Sequence, residues 1–286
     1  MTDFHVHLAV LVCLNVVIVS GLALISRTGQ LSLGHGAFVG IAAYAAVLAH
    51  MKAGWPFWLS ALGGIAAAAL VALVLGWVIL RLRGVYFVLV TFAFAELVRL
   101  ALLDWSALTG GANGIAGIPP ATLFGVAFDT KARFLVLALG VAAASAFFLK
   151  RLATTPTGHA YDAVSENPAL AEASGLNVHR LQLQAFVIGC AIAGLGGVLL
   201  AHYVGFVSPE SFNTTLSINV IVMLVIGGRQ SVWGPLIGAA ILTPLPELLR
   251  GAVQTQHIFY GAALILILHF MPGGLASLPG RFAKGR

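Results

Sequence analysis

Few residues of this sequence are of types that do chemistry, and those few sit among apolar neighbours. Glu96 and Arg99 interrupt the run GVYFVLVTFAFAELVRLALL that begins at Gly84. Three apart on a helix they share a face and can pair. An ionisable group inside a membrane span costs at least a few kcal/mol when unpaired, so it is a functional candidate by default. Two readings stand, a self-satisfied pair near the end of a span and a proton relay. A second group, Gln30, Ser32 and His35, lies in the glycine-rich stretch TGQLSLGHGAFVG from Thr28. Irregular backbone at membrane depth is tolerated only where protein or water covers it, and broken helices of this kind build substrate sites near the midplane. These three are therefore candidates for a translocation path, with a plain turn beside Arg27 as the other reading. The third group is Ser208, Pro209 and Glu210, an N-cap signal for a short helix over PESFNTT.

What is missing narrows the chemistry further. The sequence has no H-E-x-x-H, no paired intramembrane carboxylates and no nucleophile beside a base, so no catalytic residues are assigned and an enzyme is not expected. It has no G-x-x-x-x-G-K-[ST] stretch and so no P-loop for ATP. Cys13 and Cys190 both fall in apolar runs, which implies neither a disulfide framework nor a metal site.

The elements that must position these groups are membrane helices. The 286 residues are 60% hydrophobic and only 8% charged, against about 25% charged in soluble domains. Apolar runs of about 20 residues recur, the length that crosses the hydrocarbon as helix. Spans are expected near 8–25, 36–50, 57–80, 84–103, 132–149, 182–205, 216–228, 235–250 and 257–272, an all-α polytopic membrane bundle of about eight to ten transmembrane helices in one domain, 1–286. The N-terminal MTDFHVH lacks a basic n-region and a small-residue cleavage site, so the first run should stay as a membrane helix. Sorted by alternate connections, Arg27, Arg81, Arg83, Lys150, Arg151, Arg180, Arg229, Arg281, Lys284 and Arg286 fall on one side and Lys52, Lys131, Arg133 and Arg250 on the other. The positive-inside rule puts the first set, and the C-terminus, in the cytoplasm. The basic residues form no patch, so the net charge of +6 does not argue for nucleic acid. Small residues recur every fourth position at Ala185, Gly189, Ala193, Gly197, Ala201 and Gly205, which lets helices approach closely, inside one subunit or between two.

One connection, about 150–181, is polar yet helical. Thr155 before Pro156 starts a helix to about Glu166; Asn167 before Pro168 starts a second over PALAEAS, stopped by Gly175; Asn177 caps the next span. Most connections in compact proteins have only a handful of residues, and a structured loop of this size usually touches something.

GHAYDAVSENPALAEASGLNVHRLQLQAF, which carries this loop, resembles the cytoplasmic coupling loop of permease subunits of ATP-binding cassette importers, specifically the branched-chain amino-acid permeases. GQLSLGHGAFVGIAAYAA, GVYFVLVTFAFAELVR, LTGGANGIAGIP, GFVSPESF, IGGRQSVWGPLIGA and LPELLR are similar to that family in the same order, and LSLGHGAF resembles its LivM-type half. The resemblance implies an importer permease fold in the cell inner membrane, with Asn167, Pro168, Ala171, Glu172, Ala173 and Gly175 docking on a separate ATPase. Ala169, Ala171 and Ala173 would present a smooth surface to it. Implied partners are two ATP-binding subunits, a LivH-like second permease, an extracytoplasmic binding protein that meets an outer gate at Ser208, Pro209 and Glu210, and an amino acid. ATP would be used by the partners and no cofactor held by this chain. The loop departs from the family where His159, Asp162 and Ser165 replace the usual arginines, and Arg229 and Gln230 replace small apolar residues. An ion-coupled secondary transporter and a passive urea-like channel are the alternatives.

Overall fold

The protein is described from a computed structural model covering residues 3–82, 84–123, 125–229 and 231–245, with Gly261 and Leu275. Among the described residues the helices are α1 (Asp3–Ser26), α2 (His35–Met51), α3 (Phe57–Ile79), α4 (Val85–Asp104), the single turn α5 (Ser106–Thr109), α6 (Lys131–Ala153), α7 (Pro156–Glu166), α8 (Pro168–Ala173), α9 (Val178–Val204), α10 (Thr214–Gly227) and α11 (Gly234–Leu242). Six segments are long and apolar enough to cross a bilayer: α1, α3, α4, α6, α9 and residues 209–227. The expected spans up to 228 are thus found as helices. Of the expected span 235–250, α11 covers the part up to Leu242; residues 246–250, the span 257–272 apart from Gly261, and the C-terminus, whose side was expected, lie outside the described residues.

Helix α9 is the hub, packed against α1, α2 and α3. Its small residues make that possible. A Cβ on Gly189 would run into the Gly21 carbonyl of α1, and one on Gly197 into the Val39 carbonyl of α2. The stripe of small residues at every fourth position is therefore used inside the subunit, where close backbone approach replaces the hydrophobic drive that lipid cannot supply.

The bundle has two chemically different ends. One carries α7 and α8, and there Arg27, Asp162 and Arg229 gather around one cleft; it is called the loop end. At the other, the hairpin end, the Lys52 ammonium donates to the carbonyls of Ala107 and Leu108 at 3.2 and 3.1 Å. Two short antiparallel pairs close this end, Ile115–Ala116 with Phe206–Val207 and Thr122–Leu123 with Val126–Ala127.

Candidate functional site

The glycine-rich stretch after α1 climbs back into the bundle. Helix α1 ends at Ser26, yet the His35 ring lies 3.0 Å from the carbonyl of Ile18, eight residues earlier. At 1.5 Å per residue that is about 12 Å above the end of α1. Because a carbonyl only accepts, His35 Nε2 carries the hydrogen, and Nδ1 is left buried without a partner. The chain between is held by short hydroxyl side chains, one its own and one of α4: Gly34 N–H donates to Ser32 Oγ at 3.1 Å, and Leu33 N–H to Thr91 Oγ1 of α4 at 3.2 Å. Gly34 sits so close to the Thr91 carbonyl that no Cβ fits. Of the three candidate path residues, Ser32 and His35 are fully enclosed and shape the break, whereas Gln30 borders an open cleft of about 320 Å³ with Leu31, Val85 and Val88.

A second segment enters from the opposite end. After the strand Phe206–Val207, Pro209–Phe212 forms one 3-10 turn, and Phe212 packs on Gly40 and Tyr44 of α2. Ser208 stands at the N-cap position of this turn, as expected, but its side chain makes no cap hydrogen bond. Its backbone is extended, as at other N-caps, its hydroxyl lies 3.0 Å from that of Ser211, and the next helix, α10, is started by Asn213, whose side chain accepts from Leu216 N–H at 3.3 Å. Here α2 and α10 meet start to start. Gly36 N–H donates to Ser217 Oγ at 2.9 Å, and Ser217 lies ten residues before the end of α10, about 15 Å by helix rise. Two antiparallel helices thus begin beside each other at mid-depth, each with its positive dipole end inside the bundle.

The intramembrane ion pair belongs to the same region. Arg99 holds both carboxylate oxygens of Glu96 and also donates from Nη1 to Glu210 Oε1 at 2.6 Å. The expected two-residue pair is a three-residue link, tying the 3-10 turn to α4. Glu96 and Glu210 keep side-chain exposures of 38% and 59%. Charges exposed at such a depth belong beside water or protein, not lipid.

At the loop end the helix boundaries fall where the cap residues put them. Thr155, Asn167 and Asn177 accept from Gly158, Leu170 and Arg180 N–H. Gly175, at φ 86°, closes α8 with Leu176 N–H on Ala171 O and Gly175 N–H on Glu172 O, a Schellman end. The alanine face, however, is divided. Ala169 and Ala173 are exposed, but Ala171 is 4% exposed and packs with Val164 and Val178. It anchors α8 to its own subunit, because a two-turn helix needs one inward apolar contact to stay put. Leu170 is the residue turned outward, 64% exposed. Pro168, Glu172 and Gly175 complete the loop surface.

That loop is tied to the break. Arg27, at the end of α1, donates from Nε and Nη2 to the two oxygens of Asp162 in α7 at 2.9 and 2.6 Å. Gly29, at φ 85°, rests against Ser165, and Arg229 donates to the carbonyl of Ser26 at 3.2 Å. Burial lowers the Arg229 pKa, though an arginine stays cationic. The α7 side of the joint is firm, since Tyr161 is buried and its phenol pKa is pushed up by that burial.

Residues 5–268 match the family model described as "Branched-chain amino acid transport system / permease component". The chain belongs to this permease family. It is 36% identical over 94% of its length, and 69% of the relative's, to the high-affinity branched-chain amino acid transport system permease protein LivM of Escherichia coli K12, and 35% identical over the same shares to LivM of Salmonella typhimurium. LivH of Salmonella typhimurium is 32% identical over 43% of this chain and 40% of its own. No solved structure matches.

Within this permease several residues of the site carry no sequence signal of their own. Thr91 and Ser217 read as ordinary small polar residues and Asp162 only as a departure in the loop, and only the packing of distant segments gives them partners. Ser217→Ala tests the joint between the two helix starts: it leaves the Gly36 N–H buried without an acceptor, at about 1–3 kcal/mol. A lowered thermal midpoint in detergent is expected, while Ser217→Thr keeps it.

Proposed function

We propose that this permease is the LivM-type half of an ATP-driven importer in the cell inner membrane, with the loop end and the C-terminus in the cytoplasm. It pairs with a LivH-like permease, receives an amino acid of the branched-chain or a related type from an extracytoplasmic binding protein, and is driven by two separate ATP-binding subunits. The observation that carries the reading is the continuous connection from α8 through α7, Asp162 and Arg27 to the unwound segment that ends at the α2–α10 joint. A passive channel has no use for a rigid external helix braced onto its broken core. Gln30, Ser32 and His35 shape the translocation path on one side and Ser208, Pro209 and Glu210 its outer gate on the other. The paired helix starts supply positive dipole ends suited to a substrate carboxylate. The exposed Glu96/Arg99/Glu210 face turns toward the central path and the second permease.

Two measurements test this. In proteoliposomes holding the full complex, uptake requires ATP and continues when an uncoupler collapses the ion gradient; uptake that stops with the gradient while ATP stays high gives the role to ion coupling. Cysteines at the exposed Glu166 and Asn113 are labelled only from the cytoplasm and only from outside, respectively. The opposite pattern reverses the orientation.

A further inference from the structure

A cleft of about 520 Å³ opens where the loop end of α3 meets the start of α9. It is lined by Trp77, Arg81, His179, Arg180 and Gln182, with Asn177 and Glu172 of the coupling loop at its rim. Four of its side chains have polar groups left over. Arg81 and Arg180 are exposed and form no ion pair among the described residues. Gln182 is 6% exposed and makes no side-chain hydrogen bond there, and His179 Nε2 is buried without a partner. The positive end of the 27-residue helix α9 faces the same space. Two cations, an idle amide, an idle imidazole nitrogen and a helix start make a site for a phosphate anion.

The surroundings say where that phosphate comes from. Leading into the cleft along α3 is an exposed apolar strip, Leu70, Leu73, Val74, Trp77 and Val78. Trp77 stands at its lower edge, ring edge-on to His179 at 5.4 Å, as aromatic residues do at the headgroup level. Acyl chains have a path along α3 to this point, and basic pockets at the cytoplasmic membrane edge take anionic headgroups. We propose that the cleft binds one anionic phospholipid, its phosphate between Arg81 and Arg180 and its chains along α3. Glu172 and Asn177 at the rim place that lipid beside the coupling loop, so its occupancy braces α8 against the membrane surface. The bracing role rests on the importer reading; the binding itself does not.

The test uses the full chain in nanodiscs of phosphatidylcholine with a minor share of phosphatidylglycerol, and counts lipids retained by native mass spectrometry. The wild type retains phosphatidylglycerol selectively, and Arg81→Gln/Arg180→Gln lowers that selectivity by about tenfold, whereas the paired Lys variants keep it. Equal retention by wild type and the Gln variant overturns the proposal. Displacement of the retained lipid by millimolar inorganic phosphate assigns the site to a free anion and overturns it as well. Protection of the two arginines only when the ATP-binding subunits are present gives the cleft to that protein contact instead. Because none of these arms reads transport, they stand apart from the fate of the importer assignment.

Discussion

Ala171→Pro is expected to abolish uptake by the assembled importer while the permease still inserts and still presents its outer surface to the binding protein. The substitution removes the hydrogen bond from Ala171 N–H to Asn167 O, 3.0 Å long, and drives the proline ring into that carbonyl, at roughly 3 kcal/mol or more. A helix of six residues, less than two full turns, has no spare turn to absorb this. The damage goes beyond the helix, because Ala171 is also the contact that seats α8 on Val164 and Val178. Leu170→Asp separates the two effects. It keeps the helix and its seat but places a charge on the outward residue, so binding of the ATP-binding subunits weakens while the permease melts at its usual temperature. Substrate-stimulated ATP hydrolysis is lost in both variants, and the proline variant is the worse. Normal transport by Ala171→Pro would reduce the loop to a mere connection.

The difference between those two alanine-helix substitutions also shows what was legible beforehand. Thr155–Pro156, Asn167–Pro168 and Gly175 are local signals, each satisfied by backbone groups within a few residues, and the helices start and stop where they stand. The spans were legible for the same reason, since crossing a bilayer demands an uninterrupted apolar run. Which alanine faces inward was not, because it depends on Val164 and Val178, whose positions are set by packing. Ser208 and Pro209 marked the start of the short helix correctly, but the side-chain cap bond was not legible, because the Ser208 hydroxyl lies against that of Ser211 instead of a backbone N–H. The break after α1 was visible as composition, but neither its depth nor its meeting with α10 was, because Gly36 and Ser217 are 181 positions apart. Glu210 was singled out as a gate residue and Arg99 as half of an ion pair. Their bond joins two observations the sequence keeps separate.

The same distance problem hides Arg27 and Asp162, and their test is a charge exchange. Their pairing is bidentate, yet Asp162 is 44% exposed, so solvent screens it. Such a pair contributes on the order of 1 kcal/mol or less to stability. Single variants therefore fold, and any large functional loss reports on transmission. Asp162→Arg sets two guanidinium groups against each other and pushes α7 away from the end of α1. Gly29 then loses its rest on Ser165, and the unwound segment leading to His35 no longer follows the loop. Uptake per ATP hydrolysed is expected to fall by about fivefold or more, the range of ordinary coupling free energies, with basal hydrolysis and the thermal midpoint little changed. Arg27→Asp behaves alike. The double exchange, Arg27→Asp with Asp162→Arg, restores the opposite charges across the joint and recovers most of the ratio, the non-additivity that marks a direct interaction. Recovery is incomplete, because exchanging the long and the short stem moves the ion pair from beside α7 to beside the end of α1, where the surroundings were not shaped for it. If both single variants kept the wild-type ratio, force would reach the core by another contact, and the Arg229 bond to Ser26 would be the next to cut.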